Sequence, residues 1–409
     1  MPRWRRNLYV LFGVQLLSTI GFSLVFPFVP LYIKEVGIAT RGSVEFWSAL
    51  TFSSQALTMM IAAPIWGAYA DRYGRKMMLV RATLGGALLL ALMGMVQNAE
   101  QLVVVRALQG LITGVVPATN ALVAASAPRE RSGEALGTLQ MAFAIGIAIG
   151  PVLGGLLGEA FGFREVFWIT ATLLALAGLS ALIWVHEEFT PVARELRVGL
   201  FDAYRRLLHA PGMGAIYELS FLRSLGQTMF MPMVALFVVE LQGGDEGAAL
   251  VTGLLIGASA ATAAMSGVWL GRLGDRIGHV RVLIGAAVAA MLITATQATV
   301  TSAWQLGMLQ ALLGFAVGGM VPSVAALMNL WSPAGNQGAT YGLDTSVNAA
   351  ARGVAPMLGA GIATLFGLRG VFGASAVIYG GVALLTLHVA RQAAARRAAS
   401  EVKLKPVGD

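Results

Sequence analysis

The sequence predicts an all-α membrane protein with twelve transmembrane helices in two six-helix bundles, which form a parallel repeat with both termini in the cytoplasm. Three observations lead to this fold class. Long apolar stretches recur along the chain, sequence landmarks repeat about 205 positions apart, and basic residues are distributed unevenly among the loops.

The composition is typical of an integral membrane protein. Of its 409 residues, 57% are hydrophobic and 12% are charged, which is roughly half the charged fraction of an average soluble domain. Apolar stretches of about 20 residues, the length that crosses a bilayer core, follow one another with short polar breaks. Segments 1 to 6 are predicted at 8–33, 46–70, 78–97, 100–125, 134–160 and 164–185, and segments 7 to 12 at 214–240, 249–271, 281–299, 302–330, 339–366 and 369–390.

The domain organisation follows from these segments. Residues 1–185 form the N-terminal bundle and residues 214–390 the C-terminal bundle. Between them, 186–213 is rich in arginine and glutamate and is predicted to be an amphipathic cytoplasmic linker, while 391–409 is predicted to be a basic cytoplasmic tail.

Internal repetition supports two related halves. Asp71 recurs as Asp275, 204 positions later, in a similar glycine-bounded sequence. Pro117 recurs as Pro322 and Pro151 as Pro356, both 205 positions later. Because six segments per repeat is an even number, both copies enter the membrane from the same side, and a substrate site is expected between the halves.

Charge indicates topology and not a nucleic-acid partner. The net charge is +8, but the basic residues are divided among the loops and do not cluster on one foldable face. With a cytoplasmic N-terminus, most of the 28 lysines and arginines lie on the cytoplasmic side, as the positive-inside rule requires. Arg106, Arg223 and Arg352 lie in the interior of predicted segments, away from the loops. Cysteine is absent, so disulfides and thiolate metal sites are excluded.

A loop motif points to a family. The stretch Gly67-Ala-Tyr-Ala-Asp-Arg-Tyr-Gly-Arg-Lys76 resembles the G-x-L-A-D-R-x-G-R-K signature between helices 2 and 3 of the major facilitator superfamily, with Tyr69 in place of the usual leucine. The resemblance implies a cytoplasmic gate in which Asp71 faces the start of segment 11. The gating residues implied in both halves are Gly67, Asp71, Arg72, Gly74, Arg75, Lys76, Gly271, Asp275, Arg276, Gly278 and Asp344.

Further motifs resemble the twelve-helix drug:proton antiporter branch of that superfamily. Segment 1 carries a stretch, Gly21 to Pro30, that resembles the proline-containing first helix of these antiporters. Arg106-Ala-Leu-Gln-Gly110 in segment 4 is similar to the R-x-x-Q-G motif of proton-coupled members. In segment 5, Gly146, Gly150, Pro151, Gly154 and Gly155 match the G-x-x-x-G-P-x-x-G-G signature of antiporters, which implies export and a close contact with segment 8.

The same analogy assigns the central cavity to segments 1, 4, 7 and 10. Candidate wall residues are Gln15, Phe22, Phe26, Gln109, Thr113, Asn120, Gln227, Met231 and Gln310, with ordinary packing as the alternative for each. Proton coupling is assigned to Arg106, Glu218, Asp344 and Arg352, of which Asp344 and Arg352 share a stripe of segment 11 with Asn348.

These features predict a secondary active transporter of the bacterial inner membrane that exports small lipophilic or cationic compounds by proton-coupled alternating access. One alternative is a dedicated exporter of a polar metabolite such as a sugar or amino acid, and another is a non-transporting membrane sensor or scaffold. The expected partners are membrane lipid, the small-molecule substrate and protons, with a monomeric chain and no nucleic acid. No catalytic or metal-ligating pattern is present in the sequence, so neither an enzyme nor a cofactor is expected, and the proton gradient is the energy source.

Overall fold

The structure is a computed structural model that describes residues 3–25, 28–112, 114–126, 128, 131–187, 212–332 and 337–404. The linker predicted at 186–213 therefore lies almost entirely outside the described residues. Every regular element in the described ranges is a helix. The helices are Arg3–Val25, Val29–Val36, Val44–Tyr73, Arg75–Met93, Ala99–Ile112, Val115–Ser126, Ser132–Phe161, Phe163–Trp184, Met213–Met229, Met233–Gln242, Ala248–Ile277, His279–Gln297, Ala303–Trp331 and Gln337–Leu404.

Across the described ranges, ten helices are long and apolar enough to cross a membrane. The last of these, Thr340–Arg391, covers predicted segments 11 and 12, which are separated only by Gly367 with φ 72°. Segment 2 lies in Val44–Tyr73, a helix of 30 residues that is not among the ten. The helix of segment 12 continues to Leu404 and not to 390, because alanine and arginine after 391 are strong helix formers.

Two predicted segments are interrupted where continuous helices were expected. The described parts of segment 1 are the helices Arg3–Val25 and Val29–Val36. Segment 4 divides at Gly114, whose φ of 151° does not fit a helix. Segment 7 divides at Phe230–Pro232, since proline cannot donate the helical hydrogen bond. Segment 3 spans Arg75–Met93 and not 78–97, because the chain turns at Gly94.

The two halves repeat each other in atomic detail. The Thr58 hydroxyl donates to the Ala107 carbonyl over 2.8 Å, and the equivalent Thr262 hydroxyl donates to the Ala311 carbonyl over 2.7 Å. The rings of Tyr32 and Phe167 are 4.9 Å apart, and those of Phe237 and Phe372, about 205 positions later, are 5.0 Å apart. All four rings are buried in one apolar core that extends through both halves.

The halves meet along two pairs of segments. Segment 2 packs on segment 11 where Leu57 covers Gly353, and segment 5 packs on segment 8 where Gly155 meets Ala249. We call the end of the bundle that carries Gly74 and Gly278 the motif face, and the other end the opposite face. At the opposite face, Lys34 Nζ and Asp245 Oδ1 form an ion pair of 2.7 Å between the halves.

Candidate functional site

A row of polar contacts joins segments 7 and 11 inside the C-terminal half. Ser220 donates to Asp344 Oδ1 over 2.5 Å, and Arg223 Nη2 donates to Asn348 Oδ1 over 2.7 Å. Gln227, one turn further, accepts from Arg223 Nη1 over 3.3 Å. The row arises because residues four apart lie on one face of a helix, and both segments present such a face to each other. The stripe predicted on segment 11 is therefore directed at segment 7.

Arg352 continues this stripe but makes no hydrogen bond to any described residue, and its side chain is exposed. Its neighbour Gly353 packs against Leu57 of segment 2, and Gly359 packs against Met229 of segment 7. At about 100° of rotation per residue, Arg352 lies on the helix surface between these two contacts. Its accessible guanidinium is therefore directed into the space between the two halves.

Glu218, the other predicted proton-coupling carboxylate, is separate from this row. It is exposed and lies two residues before Ser220, which places it on the opposite face of its helix. No described residue forms a hydrogen bond or ion pair with it.

Arg106 forms the corresponding buried basic centre in the N-terminal half. Its side chain is 3% exposed, and its Nη1 donates to Gln55 Oε1 over 3.1 Å and to Gln109 Oε1 over 3.0 Å. Its Nε has no acceptor in the described chain. The guanidinium that sequence analysis expected near a proton-accepting group thus has amide oxygens as its described partners.

The glycines of segment 5 provide close approach to two different segments. Gly146, Gly150 and Gly154 face segment 1, where an added Cβ would collide with Thr19, Ser23 and Leu24 in turn. Ser23 Oγ also donates to the Gly146 carbonyl over 2.9 Å. The expected partner, segment 8, is instead met by Gly155 and by the Pro151 carbonyl, which lies against Gly253. Segment 5 is therefore wedged between segment 1 of its own half and segment 8 of the other.

The loop motifs both form tight reversals between helices. Gly74 and Gly278 have φ of 95° and 97°, a conformation that favours glycine. In the first copy, the Arg75 and Lys76 backbone N–H groups donate to the carboxylate of Glu187 over 2.9 and 2.8 Å, so an acidic residue caps segment 3. In the second copy, His279 Nε2 lies 3.1 Å from Asp275 Oδ1.

Among the described side chains, no ion pair joins this loop to segment 11. The side chain of Asp71 lies outside the part of the chain that the structure describes, and the surroundings of Gly67 are likewise outside it. Arg72 is exposed with its guanidinium 5.2 Å from the Tyr73 ring centroid, and Asp344 is bonded to Ser220. Arg276 is exposed, and Gly271 approaches Pro322 of segment 10.

The predicted cavity residues occupy several environments. Gln15 is buried and accepts from the Thr119 hydroxyl over 2.5 Å, so its amide joins segments 1 and 4. Gln109 and Gln310 are buried as well, while Phe22, Asn120 and Met231 are partly exposed and Gln227 is exposed. Phe26 and Thr113 lie outside the described residues.

Sequence reasoning missed several of the contacts above. Gln55 was not predicted beside Arg106, and neither Glu187 nor the pair Lys34–Asp245 was singled out. Arg223 was noticed only as a charge within an apolar segment. That signal could have placed it in a site, because a charged residue at mid-membrane is rare and generally functional.

Comparison with known proteins identifies the class to which this fold and site belong. The family model of the Major Facilitator Superfamily matches residues 11–217 and again 216–408. The chain belongs to the Major Facilitator Superfamily. It is a multi-pass protein of the bacterial inner membrane.

Two relatives and one solved structure show in more detail which proteins this chain is similar to. The chain is 36% identical over 375 residues to Multidrug resistance protein MdtG of Serratia proteamaculans, covering 92% of this chain and 91% of the relative. It is 37% identical over 369 residues to the protein of the same name from Escherichia fergusonii, covering 90% of each. A solved structure of a bacterial homologue of the human lysosomal transporter Spinster, inward-facing and unoccupied, superposes with a TM-score of 0.79 at 16% identity, covering 96% of this chain and 98% of that one.

Proposed function

We propose that this chain exports small lipophilic compounds of varied structure from the cell by proton-coupled alternating access. Relatives that share more than a third of their residues across nine tenths of the chain are multidrug resistance proteins, which supports export of many compounds. We also propose twelve transmembrane helices with both termini cytoplasmic, so that the motif face is the cytoplasmic one. The protein acts as a monomer in lipid, without a cofactor.

The observation that carries the proposal is the placement of segment 5. Its glycines and Pro151 lie against segment 1 on one side and Gly253 of segment 8 on the other. Small residues allow two helices to slide or tilt at close contact without large side chains interlocking. This contact is a suitable pivot for rocking one half against the other around a site between them.

Asp344 is the proposed proton-binding group. It lies within segment 11, accepts from Ser220, and is within electrostatic reach of Arg223 and Arg352. Its protonation changes the charge of a cluster that faces the space between the halves. The charge of the cluster therefore depends on the proton concentration on the side of the membrane to which the site is open.

The loop residues Arg72, Arg75 and Lys76, with Asp71 and the start of segment 11, are proposed to close the motif face in the other conformation. Among the described residues, an ion pair between the halves lies at the opposite face, from Lys34 to Asp245. Alternation between these two sets of contacts would expose the site to each side in turn.

Uptake into inside-out membrane vesicles tests the function. An exporter accumulates its substrates in such vesicles when respiration acidifies the interior. The panel is a lipophilic cation, a neutral aromatic compound, a sugar and an amino acid.

We expect the vesicles to take up the lipophilic compounds. This uptake should be lost when an ionophore collapses the pH gradient, and it should also be lost in Asp344→Asn. Glu246→Gln, which removes an exposed carboxylate between segments 7 and 8, is the control and should transport normally. Gradient-independent uptake by the wild type would contradict proton coupling, and uptake of the sugar or amino acid alone would contradict multidrug export.

A further inference from the structure

Two arginines lie deep in the C-terminal half with too little negative charge to balance them. Arg223 is ten residues from the start of its helix and Arg352 is fifteen from the start of its own, roughly 15 and 22 Å along the helix axes. Among the described residues, Asp344 is the one carboxylate on the faces that these segments turn toward each other. With Asp344 ionised, the cluster carries one excess positive charge, which is expensive at membrane depth unless an anion or water meets it.

The two guanidinium groups also have unused hydrogen-bond donors. Arg223 is 9% exposed and its Nε has no acceptor, while its two terminal nitrogens donate to the neutral amides of Asn348 and Gln227. Arg352 donates to no described residue. A guanidinium offers five N–H donors in a planar fork, and most of those on this pair are free.

The free donors face the route that a substrate takes. Arg352 lies between the contact of segment 11 with segment 2 at Gly353 and its contact with segment 7 at Gly359. The exposed side chain of Val354 lies on the opposite face of the helix, where lipid is expected. Arg352 is therefore directed between the halves and not toward the membrane.

We propose that Arg352, supported by Arg223, binds a carboxylate or sulfonate group of a transported compound, so that acidic amphiphiles are among the substrates. The planar oxyanion matches the guanidinium fork and neutralises the excess charge. Asn348 and Gln227 hold Arg223 in place through neutral oxygens, which leaves its positive charge available. This proposal rests on the transport function proposed above and specifies one class of its substrates.

Arg223 on segment 7 and Arg352 on segment 11 are both within electrostatic reach of Asp344, and the Tyr379 hydroxyl on segment 12 is within reach of Arg223. A proton on Asp344 makes the cluster more positive and strengthens its hold on an acidic group. An acidic compound that leaves the cell without this proton carries negative charge outward, and the membrane potential, negative inside, drives that movement.

Binding to the purified full-length protein tests the site. Isothermal titration calorimetry compares three compounds with one ring system: 1-naphthalenesulfonate, 1-naphthalenemethanol and 1-naphthylmethylammonium. We expect the wild type to bind the sulfonate most tightly. Arg352→Gln should weaken sulfonate binding by about tenfold or more, the effect of losing a charge-assisted hydrogen bond, while leaving the alcohol unchanged. Because Arg352 bonds to no described residue, this variant should fold. Arg352→Lys, which keeps a point charge, should recover part of the loss.

Arg281→Gln is the control for net charge, since Arg281 is exposed near the motif face and lies outside the cluster. The proposal is overturned if Arg352→Gln binds the sulfonate as the wild type does, if Arg281→Gln weakens it equally, or if the wild type prefers the ammonium compound. Transport of the neutral compound by the wild type is measured separately in inside-out vesicles. Absence of this transport would contradict the proposed function. Normal transport, together with unaltered sulfonate binding in Arg352→Gln, would contradict only the acidic-group site.

Discussion

Ser220 Oγ donates a hydrogen bond of 2.5 Å to Asp344 Oδ1, across the contact between segments 7 and 11. The bond places Asp344, the one carboxylate among the described residues of this contact, beside a hydroxyl donor that lies one turn from the buried Arg223. An ionised carboxylate within a membrane protein is stabilised mainly by such donors and by nearby cations.

The first prediction concerns the energy of this bond. Ser220→Ala should lower the thermal stability of the purified protein, because hydrogen bonds to charged groups contribute roughly 1.5–3 kcal/mol. In the Asp344→Asn background the same substitution should have a smaller effect. Thermal unfolding of the two single variants and the double variant completes a cycle that isolates the coupling. Equal effects of Ser220→Ala in both backgrounds would show that the bond contributes nothing.

A second prediction concerns the packing of segment 5. Gly150→Ala should destabilise the protein by about 1–3 kcal/mol, because the new methyl group would collide with Ser23 of segment 1. Gly137→Ala is a matched control on the same helix, since nothing lies within 4 Å of its added Cβ. Thermal unfolding in detergent and vesicle uptake measure the two effects. Similar stability and transport in both variants would be evidence against a tight contact at Gly150.

Glu187 provides a third prediction. Its carboxylate accepts from the Arg75 and Lys76 backbone N–H groups at the start of segment 3, so Glu187→Ala should cost about 1 kcal/mol. Glu218→Ala, which removes an exposed carboxylate without a described partner, should leave the unfolding temperature unchanged. A drop of equal size in both variants would mean that general charge effects, and not capping, are responsible.

Topology can be tested directly because the chain contains no cysteine. Gln97→Cys lies at the opposite face and Arg281→Cys near the motif face, and both positions are exposed. In intact cells, a membrane-impermeant maleimide should label Gln97→Cys at once and Arg281→Cys only after permeabilisation. The reverse pattern would contradict cytoplasmic termini.

Much of the fold could be predicted from the sequence because lipid imposes strong constraints. Spanning length and loop charge follow from simple rules, and the recurrence of Asp71 as Asp275 indicates a repeat. The interruptions at Pro232 and Gly114 were not predicted, since proline and glycine occur both within membrane helices and at their breaks. Pro151 and Pro322 lie inside continuous helices, which illustrates the ambiguity.

Less of the site could be predicted. The spacing of Asp344, Asn348 and Arg352 identified one face of segment 11, but spacing does not reveal which helix that face meets. The partners Ser220 and Arg223 are more than 120 residues away and required the packing of segment 7. Likewise, a glycine pattern shows that a helix can be approached closely, but only the structure shows that Gly150 faces segment 1 and Gly155 faces segment 8.

Simultaneous measurement of substrate and proton flux in one preparation tests proton-coupled export most directly. Purified protein is reconstituted into liposomes that contain a pH-sensitive dye, a pH gradient is imposed, and a lipophilic compound that the inside-out vesicles accumulate is added. We predict that the substrate moves against the proton movement, that its addition accelerates collapse of the gradient, and that Asp344→Asn abolishes both effects. Substrate movement that leaves the gradient untouched, or equal coupled flux in Asp344→Asn, would contradict this account.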